Sequence, residues 1–294
     1  MEPKNSLSGR RRRRAVRWRR IQRAFLWITL TLVSLFFLLP ILWMIATSLT
    51  PNDVVFEYPP KWIPDEPTLE NYVEAFTTTR TTRLGGALAN SAIVAVATVI
   101  ITLIIDSLAA YPLARMEFKG KKGLFILVLV GLMVPAEVTF VSLFLMFHAM
   151  GWLNSYQALI LPVAASPFGV FLLRQFFMAI PRELEDAARI DGCSRLRILF
   201  TIILPLSMPG LSALAIFTFL HSWNNFLWPL IVMTDPEMMT VPVILSFYLA
   251  AFERLLEWGT LMATAVGATI LPVIVFFVFQ RQFVRSIATS GLKG

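Results

Sequence analysis

AFLWITLTLVSLFFLLPILWMIATSLTPN, residues 24–52, contains no Asp, Glu, Lys or Arg. A helix rises 1.5 Å per residue, so about 20 apolar residues cross the hydrocarbon core of a bilayer. The run is too long for the apolar core of a signal peptide, and no small-residue cleavage site is evident. We read Phe25 to Thr47 as a first membrane span, kinked at Pro40. Ten of the chain's 26 Lys and Arg lie in the first 23 residues, including the run Arg10 to Arg14. A basic arm can bind nucleic acid, but no nucleic-acid-binding domain follows this one. Beside an apolar span such an arm fixes membrane orientation.

Outward from that stretch the pattern repeats. Leu84 to Ile105 is charge-free, and a second span fits Ala87 to Leu108. A third fits Leu124 to Phe147, interrupted by Glu137, and Gly151 and Asn154 mark a tight turn after it. A fourth fits Ala158 to Phe177, a fifth Leu206 to Met233 and a sixth Leu261 to Gln280. Long continuous apolar runs read as helices, whereas barrel strands alternate in segments of about ten residues. Residues 48–86 carry five prolines among polar residues and read as an external loop, with a short helix near Leu69 to Phe76. Asp235 to Glu257 mixes polar and apolar residues and reads as a loop with a partial helix. The expected fold is an all-α integral membrane protein with six transmembrane helices. It divides into a basic arm (1–24), a first helix (25–47), an external loop (48–86), a five-helix core (87–280) and a tail (281–294).

Composition agrees. Of 294 residues, 57% are hydrophobic and 15% charged, with mean hydropathy +0.70. A soluble domain is about 45–50% apolar and about 25% charged, so a soluble enzyme is excluded, and so is a disordered chain. The single cysteine, Cys193, excludes an internal disulfide framework. His148 and His221 share no metal-ligand spacing, and no metal site is expected. With the arm placed in the cytoplasm, 22 Lys and Arg fall on the cytoplasmic side. Four fall outside: Lys61, Arg80, Arg83 and Arg254. That asymmetry is what the positive-inside rule expects of six spans with both termini cytoplasmic.

One cytoplasmic segment reads Pro181-Arg-Glu-Leu-Glu-Asp-Ala-Ala-Arg-Ile-Asp-Gly192. Proline suits the first helical position. Glu183, Glu185 and Asp186 lie at the positive end of the helix dipole, and Gly192 suits its stop. Leu184, Ala187, Ala188 and Asp191 recur at helical spacing, and small residues there let another backbone approach. Such a helix either docks on a partner protein or lies on lipid. Its acidic opening turns oppose an anionic leaflet.

Glu185-Asp-Ala-Ala-Arg-Ile-Asp-Gly192 followed by Ile202-Ile-Leu-Pro205 resembles the EAA loop of ABC-importer permeases, with Asp186 in place of the second carboxylate. Cys193 stands where a small residue is usual and reads as a small filler. Pro59-Pro-Lys-Trp-Ile-Pro64, Pro67-Thr-Leu-Glu-Asn-Tyr72, Asn90-Ser91, Ala109-Ala-Tyr111, Ser222-Trp-Asn-Asn-Phe-Leu-Trp-Pro229 and Ser290-Gly-Leu-Lys-Gly294 resemble the maltose-type carbohydrate permeases of that class. The resemblance runs from about Phe25 to the C-terminus.

It implies a subunit of a binding-protein-dependent importer in a bacterial or archaeal cytoplasmic membrane, carrying a carbohydrate by alternating access. It implies a second permease chain, a dimer of ATP-binding subunits and an extracytoplasmic binding protein. The loop of Leu184, Glu185, Asp186, Ala187, Ala188, Asp191 and Gly192 would couple the chain to the ATPase. The tail residues Gly291, Leu292, Lys293 and Gly294 would reach the ATPase dimer. ATP and Mg would bind the partner ATPase, and no cofactor this chain. Consistently, no G-x-x-x-x-G-K-[ST] loop is present: Gly120-Lys121 is followed by Lys122 and lacks the preceding glycine. Phe171-Leu-Leu-Arg-Gln-Phe-Phe177 resembles permeases that serve glycerol-3-phosphate, the alternative substrate class. A membrane-embedded enzyme lacks support, since no H-E-x-x-H or G-x-S-x-G occurs. A stand-alone ion-coupled transporter would be expected to carry internal repeats, and none is clear.

Polar residues at membrane depth usually face a cavity or a partner. Glu137, after Pro135, either lines the solute path or bonds between helices. Asp106 reads as structural. Trp223, Asn224 and Asn225, with Trp228, suit a sugar path by stacking and amide hydrogen bonds, though Trp also belongs to interfacial belts. In the maltose type, the resemblance implies, the companion permease holds the membrane sugar site. His148 and His221 read as interfacial or packed residues.

Overall fold

The computed structural model describes residues 6–59, 61–77, 84–255 and 257–290, and every regular element among them is helical. Three helices are long and apolar enough to cross a membrane unbroken. These are α1 (Ser6–Ser48), through Ile21–Ser48, then α3 (Leu84–Arg115), and α14 (Trp258–Ser290), through Trp258–Phe279. α1 begins far inside the basic arm, so residue 24 is no boundary in the backbone, and it continues through Pro40. α3 and α14 likewise run through Pro112 and Pro272. In a bilayer a helix tolerates proline when neighbours and local adjustments satisfy the freed carbonyl.

The third, fourth and fifth spans are not the single helices that hydropathy suggests. α4 (Lys121–Gly131) and the leg ending in α5 (Phe140–Ala149) meet at 92°. The leg opened by α6 (Tyr156–Ile160) meets α7 (Pro167–Met178) at 48°. The leg from α9 (Arg195–Ile198) to α10 (Leu204–Leu206) meets α11 (Met208–Trp223) at 81°. Counting each bent pair once gives six apolar crossings. Prolines open each break. Pro135 precedes the 3-10 turn Ala136–Thr139 in extended backbone. Pro167 and Pro209 sit in the first turns of α7 and α11, where the missing N–H costs nothing but the preceding residue leaves the helix. The fifth span also stops early. After Trp223 the chain turns and forms the separate α12 (Leu227–Val232). Most of Asp235–Glu257 is helical too, as α13 (Val241–Leu255) rather than a loop. The expected external helix is α2 (Glu70–Thr77).

α3 is the spine. It packs on α7 and α11, α11 on α14, and α14 on α1 and α2. One end of α3 enters a core of Tyr111, Leu173, Phe177, Ile198, Ile203 and Leu214. The other joins Phe219, Trp223, Ile244 and Tyr248. At that end Asn90 donates to the carbonyls of Glu237 (2.7 Å) and Met239 (3.1 Å) and accepts from the Tyr156 hydroxyl (2.8 Å). Ser91 accepts the N–H of Val241 at 2.8 Å. The C-terminal end of α1 is held by a polar latch. The buried Asn71 amide donates to the carbonyls of Ser48 (2.9 Å) and Thr50 (2.8 Å), which the helix end leaves without partners. Asn52 joins Asn71 to Thr260 and accepts the N–H of Gly259 at 2.7 Å. A Cβ on Gly259 would fall 2.5 Å from the Asn71 amide nitrogen, so glycine is required there.

Candidate functional site

The segment between α7 and α9 forms α8 (Glu183–Ile190). Arg182 is its cap residue, so Pro181 precedes the first helical position rather than filling it. Glu183, Glu185 and Asp186 occupy the first turn, where the helix dipole favours them. The far end closes as a Schellman motif. The N–H of Cys193 bonds the carbonyl of Ala188 (2.9 Å), and that of Gly192 bonds Arg189 (3.0 Å). Gly192 adopts φ +79°, the left-handed conformation that glycine enters without a Cβ penalty. Ser194 then caps α9, its hydroxyl accepting from the Arg197 N–H.

The stripe Leu184, Ala187, Ala188 and Asp191 does not face one environment. Leu184, Ala187 and Asp191 are exposed, as is Asp186, while Ala188 is 8% exposed and packs in the core with Ala114, Tyr111 and Ile180. Glu185 turns inward as well and is ion-paired with Arg115 at the end of α3. The outward apolar knob is Ile190, 88% exposed; Leu184 and Leu196 are exposed too. The spacing expected of a docking helix is present, but two of its residues belong to the chain's own interior. Cys193 is partly buried and packs against the same core, which suits a small filler.

At membrane depth the candidates separate. Glu137 lies exposed in the 3-10 turn at the sharpest break, away from any interhelical hydrogen bond among the described residues. Asp106 is fully buried on α3. Its Oδ1 accepts the N–H of Ser166 at 3.0 Å, so the carboxylate stands at the positive end of α7 and ties two helices. Its Oδ2 lies so near Gly169 that a Cβ there would come within 1.9 Å. This is the structural role expected of Asp106. Trp223 departs from the path reading: it is 3% exposed and stacks on Phe219 at 5.7 Å between centroids. Trp228 is equally buried, its Nε1–H donating to the carbonyl of Ala158 at 2.7 Å. Both rings are spent on packing, which types alone cannot reveal. Asn224 is exposed, with its amide turned back to the Leu220 carbonyl, and Asn225 is half-buried. His148 and His221 are exposed, His148 lying beside Phe144. The tail residues Gly291, Leu292, Lys293 and Gly294 lie outside the described residues.

Sequence reasoning missed Arg115, Asn71 and the bonding role of Asn90. Each pairs with residues tens of positions away, so no local pattern announces it. The only available signal was that Asn71, Asn90 and Ser91 sit inside short recurring motifs.

Bent pairs of apolar helices around an unbroken spine, with one capped helix held outside them, define a multi-pass transport subunit of the membrane. Residues 107–289 match the family described as binding-protein-dependent transport system inner membrane component, and the chain belongs to that family. It is 36% identical to the trehalose/maltose transport system permease protein MalG of Thermococcus litoralis, over 93% of this chain and 98% of that one. It is 38% identical to the arabinooligosaccharides transport system permease protein AraQ of Halalkalibacterium halodurans, over 85% and 86%. It is 34% identical to the sn-glycerol-3-phosphate transport system permease protein UgpE of Agrobacterium fabrum, over 84% and 88%. Its fold matches a chain of a bacterial ABC transporter involved in the import of the acidic polysaccharide alginate. There the TM-score is 0.76 at 21% identity, covering 90% of this chain and 98% of that one. The chain is thus an ABC-importer permease.

Proposed function

We propose that the chain imports a neutral carbohydrate by alternating access, driven by ATP that a dimer of partner subunits binds and hydrolyses. A second permease chain completes the path and an extracytoplasmic binding protein delivers the solute. Both termini are cytoplasmic, and α8 couples the chain to the ATPase. The observation that carries this reading is α8 itself. It is short, closed at its C-terminal end by the Schellman motif and anchored on one side by Glu185 and Ala188. On the other side it presents Leu184, Asp186, Ala187 and Ile190 to water. Ile190, 88% exposed, is the most protruding apolar side chain of that outward face.

Glycerol-3-phosphate is the competing substrate class. A cavity of about 540 Å³ lies beside the C-terminal end of α1. Asp53, Glu57, Asp65, Glu66 and Glu70 line it against one cation, Lys61. That cation is engaged by Asp65, which raises its pKa. Such a lining disfavours a phosphate monoester within that cavity.

Proteoliposomes holding the assembly, purified with its own partner subunits, separate the two. They are offered radiolabelled maltose, trehalose, an arabino-oligosaccharide and sn-glycerol-3-phosphate, with ATP on the side of the ATPase. Saccharide accumulation that requires ATP is expected. Accumulation of the phosphate ester alone, or uptake by the isolated chain without ATP, overturns the proposal.

A further inference from the structure

Arg115 is the last residue of α3, and its guanidinium is buried. Its Nε–H donates to the Glu185 carboxylate on α8. Its Nη1 donates to the carbonyl of Ile180 at 2.8 Å and its Nη2 to that of Pro181 at 3.3 Å. One planar fork therefore grips α8 and the two residues that lead into it. Arg189 stands 3.7 Å from the other oxygen of Glu185, and Ala188 is buried in the neighbouring apolar core. A buried ion pair is weak evidence for stability, because desolvation offsets the attraction and apolar residues of like size often serve as well. What three donors fixed in one plane supply is geometry.

The other routes out of α8 are interrupted. Toward α11 the chain passes a π turn, Leu199–Ile203, and the 81° bend at Ser207. Toward α6 it meets the 48° bend ahead of α7. α3 alone runs unbroken from Arg115 to Asn90 and Ser91, whose side chains hold segment 237–241 by three hydrogen bonds. Those 25 residues span about 38 Å at helical rise.

We propose that Arg115 is a positioning residue for energy coupling. Its clamp makes α8 and α3 one rigid body, so displacement of α8 by the ATPase moves segment 237–241 on the external face. The proposal rests on the ATP-coupling reading above. The test uses the whole assembly in nanodiscs, with Cys193→Ala and Glu237→Cys as a background. The rate at which a maleimide labels position 237 is measured without nucleotide and with ATP plus vanadate. The intact clamp is expected to give a nucleotide-dependent change. The double variant Arg115→Met, Glu185→Leu keeps apolar packing and is expected to retain the ATPase while that change shrinks about fivefold. Arg115→Lys keeps the charge but loses the fork, and an intermediate change is expected. A wild-type response in an assembled double variant overturns the clamp. If the double variant fails to assemble, Arg115→Lys decides: a reduced response supports the clamp and a wild-type response overturns it. An intact clamp with no nucleotide response at all overturns the ATP-coupling reading instead.

Discussion

Ala187 and Ala188 are neighbours with opposite surroundings, one in water and one against Ala114 and Ile180. Ala188→Glu places a charge in a sealed core and is expected to destabilise the chain by about 3–5 kcal/mol, the range for an uncompensated buried charge. Ala187→Glu is expected to change stability by less than about 0.5 kcal/mol, as surface substitutions do, while weakening retention of the ATP-binding subunit. Melting in detergent and co-purification of the ATPase measure the two effects. Equal behaviour of the variants contradicts the facing described for α8. Helical spacing identifies Leu184, Ala187, Ala188 and Asp191 as a stripe. It does not say how the stripe is turned, because that depends on Arg115, 70 residues from Glu185. Trp223 and Trp228 teach the same point. Indole suits a sugar, an interface or a core equally, and only the packing partners Phe219 and Ala158 decide.

At the scale of elements, hydropathy locates apolar content but averages over backbone continuity. It finds α1, α3 and α14 within a few residues of their apolar stretches. It misses the breaks before α5, α7 and α11, although Pro135, Pro167 and Pro209 stand at them. Prolines inside α1, α3 and α14 break nothing, so the residue type alone does not discriminate. The latch at the end of α1 is an element-scale joint as well. Asn71→Leu removes the amide that satisfies the Ser48 and Thr50 carbonyls and the partner of Asn52. A loss of about 1–3 kcal/mol is expected, the cost of unsatisfied buried groups, read as a lowered melting temperature. An unchanged melting temperature removes the latch from the forces holding α1.

For the whole molecule, the 22-to-4 distribution of Lys and Arg predicts cytoplasmic termini. In a Cys193→Ala background, Tyr58→Cys is expected to react with an impermeant maleimide in intact cells. Lys119→Cys, outside the docking helix, is expected to react only after permeabilisation. Both side chains are exposed, so failure to label reports sidedness rather than burial. The reverse pattern inverts the topology and detaches α8 from the cytoplasm. Arg115 is no free loop cation: its buried clamp lies at the same end of α3 as the basic residues 119, 121 and 122.

The latch also sets an order of events during synthesis. Asn52 grips the backbone of Gly259, 207 residues later. A ribosome adding about 5–20 residues per second needs about 10–40 s to cover that distance. Throughout that interval the outer tip of the first helix has emerged without its mate. Weakened variants of the joint are therefore expected to lower the yield of inserted chain as well as its melting temperature.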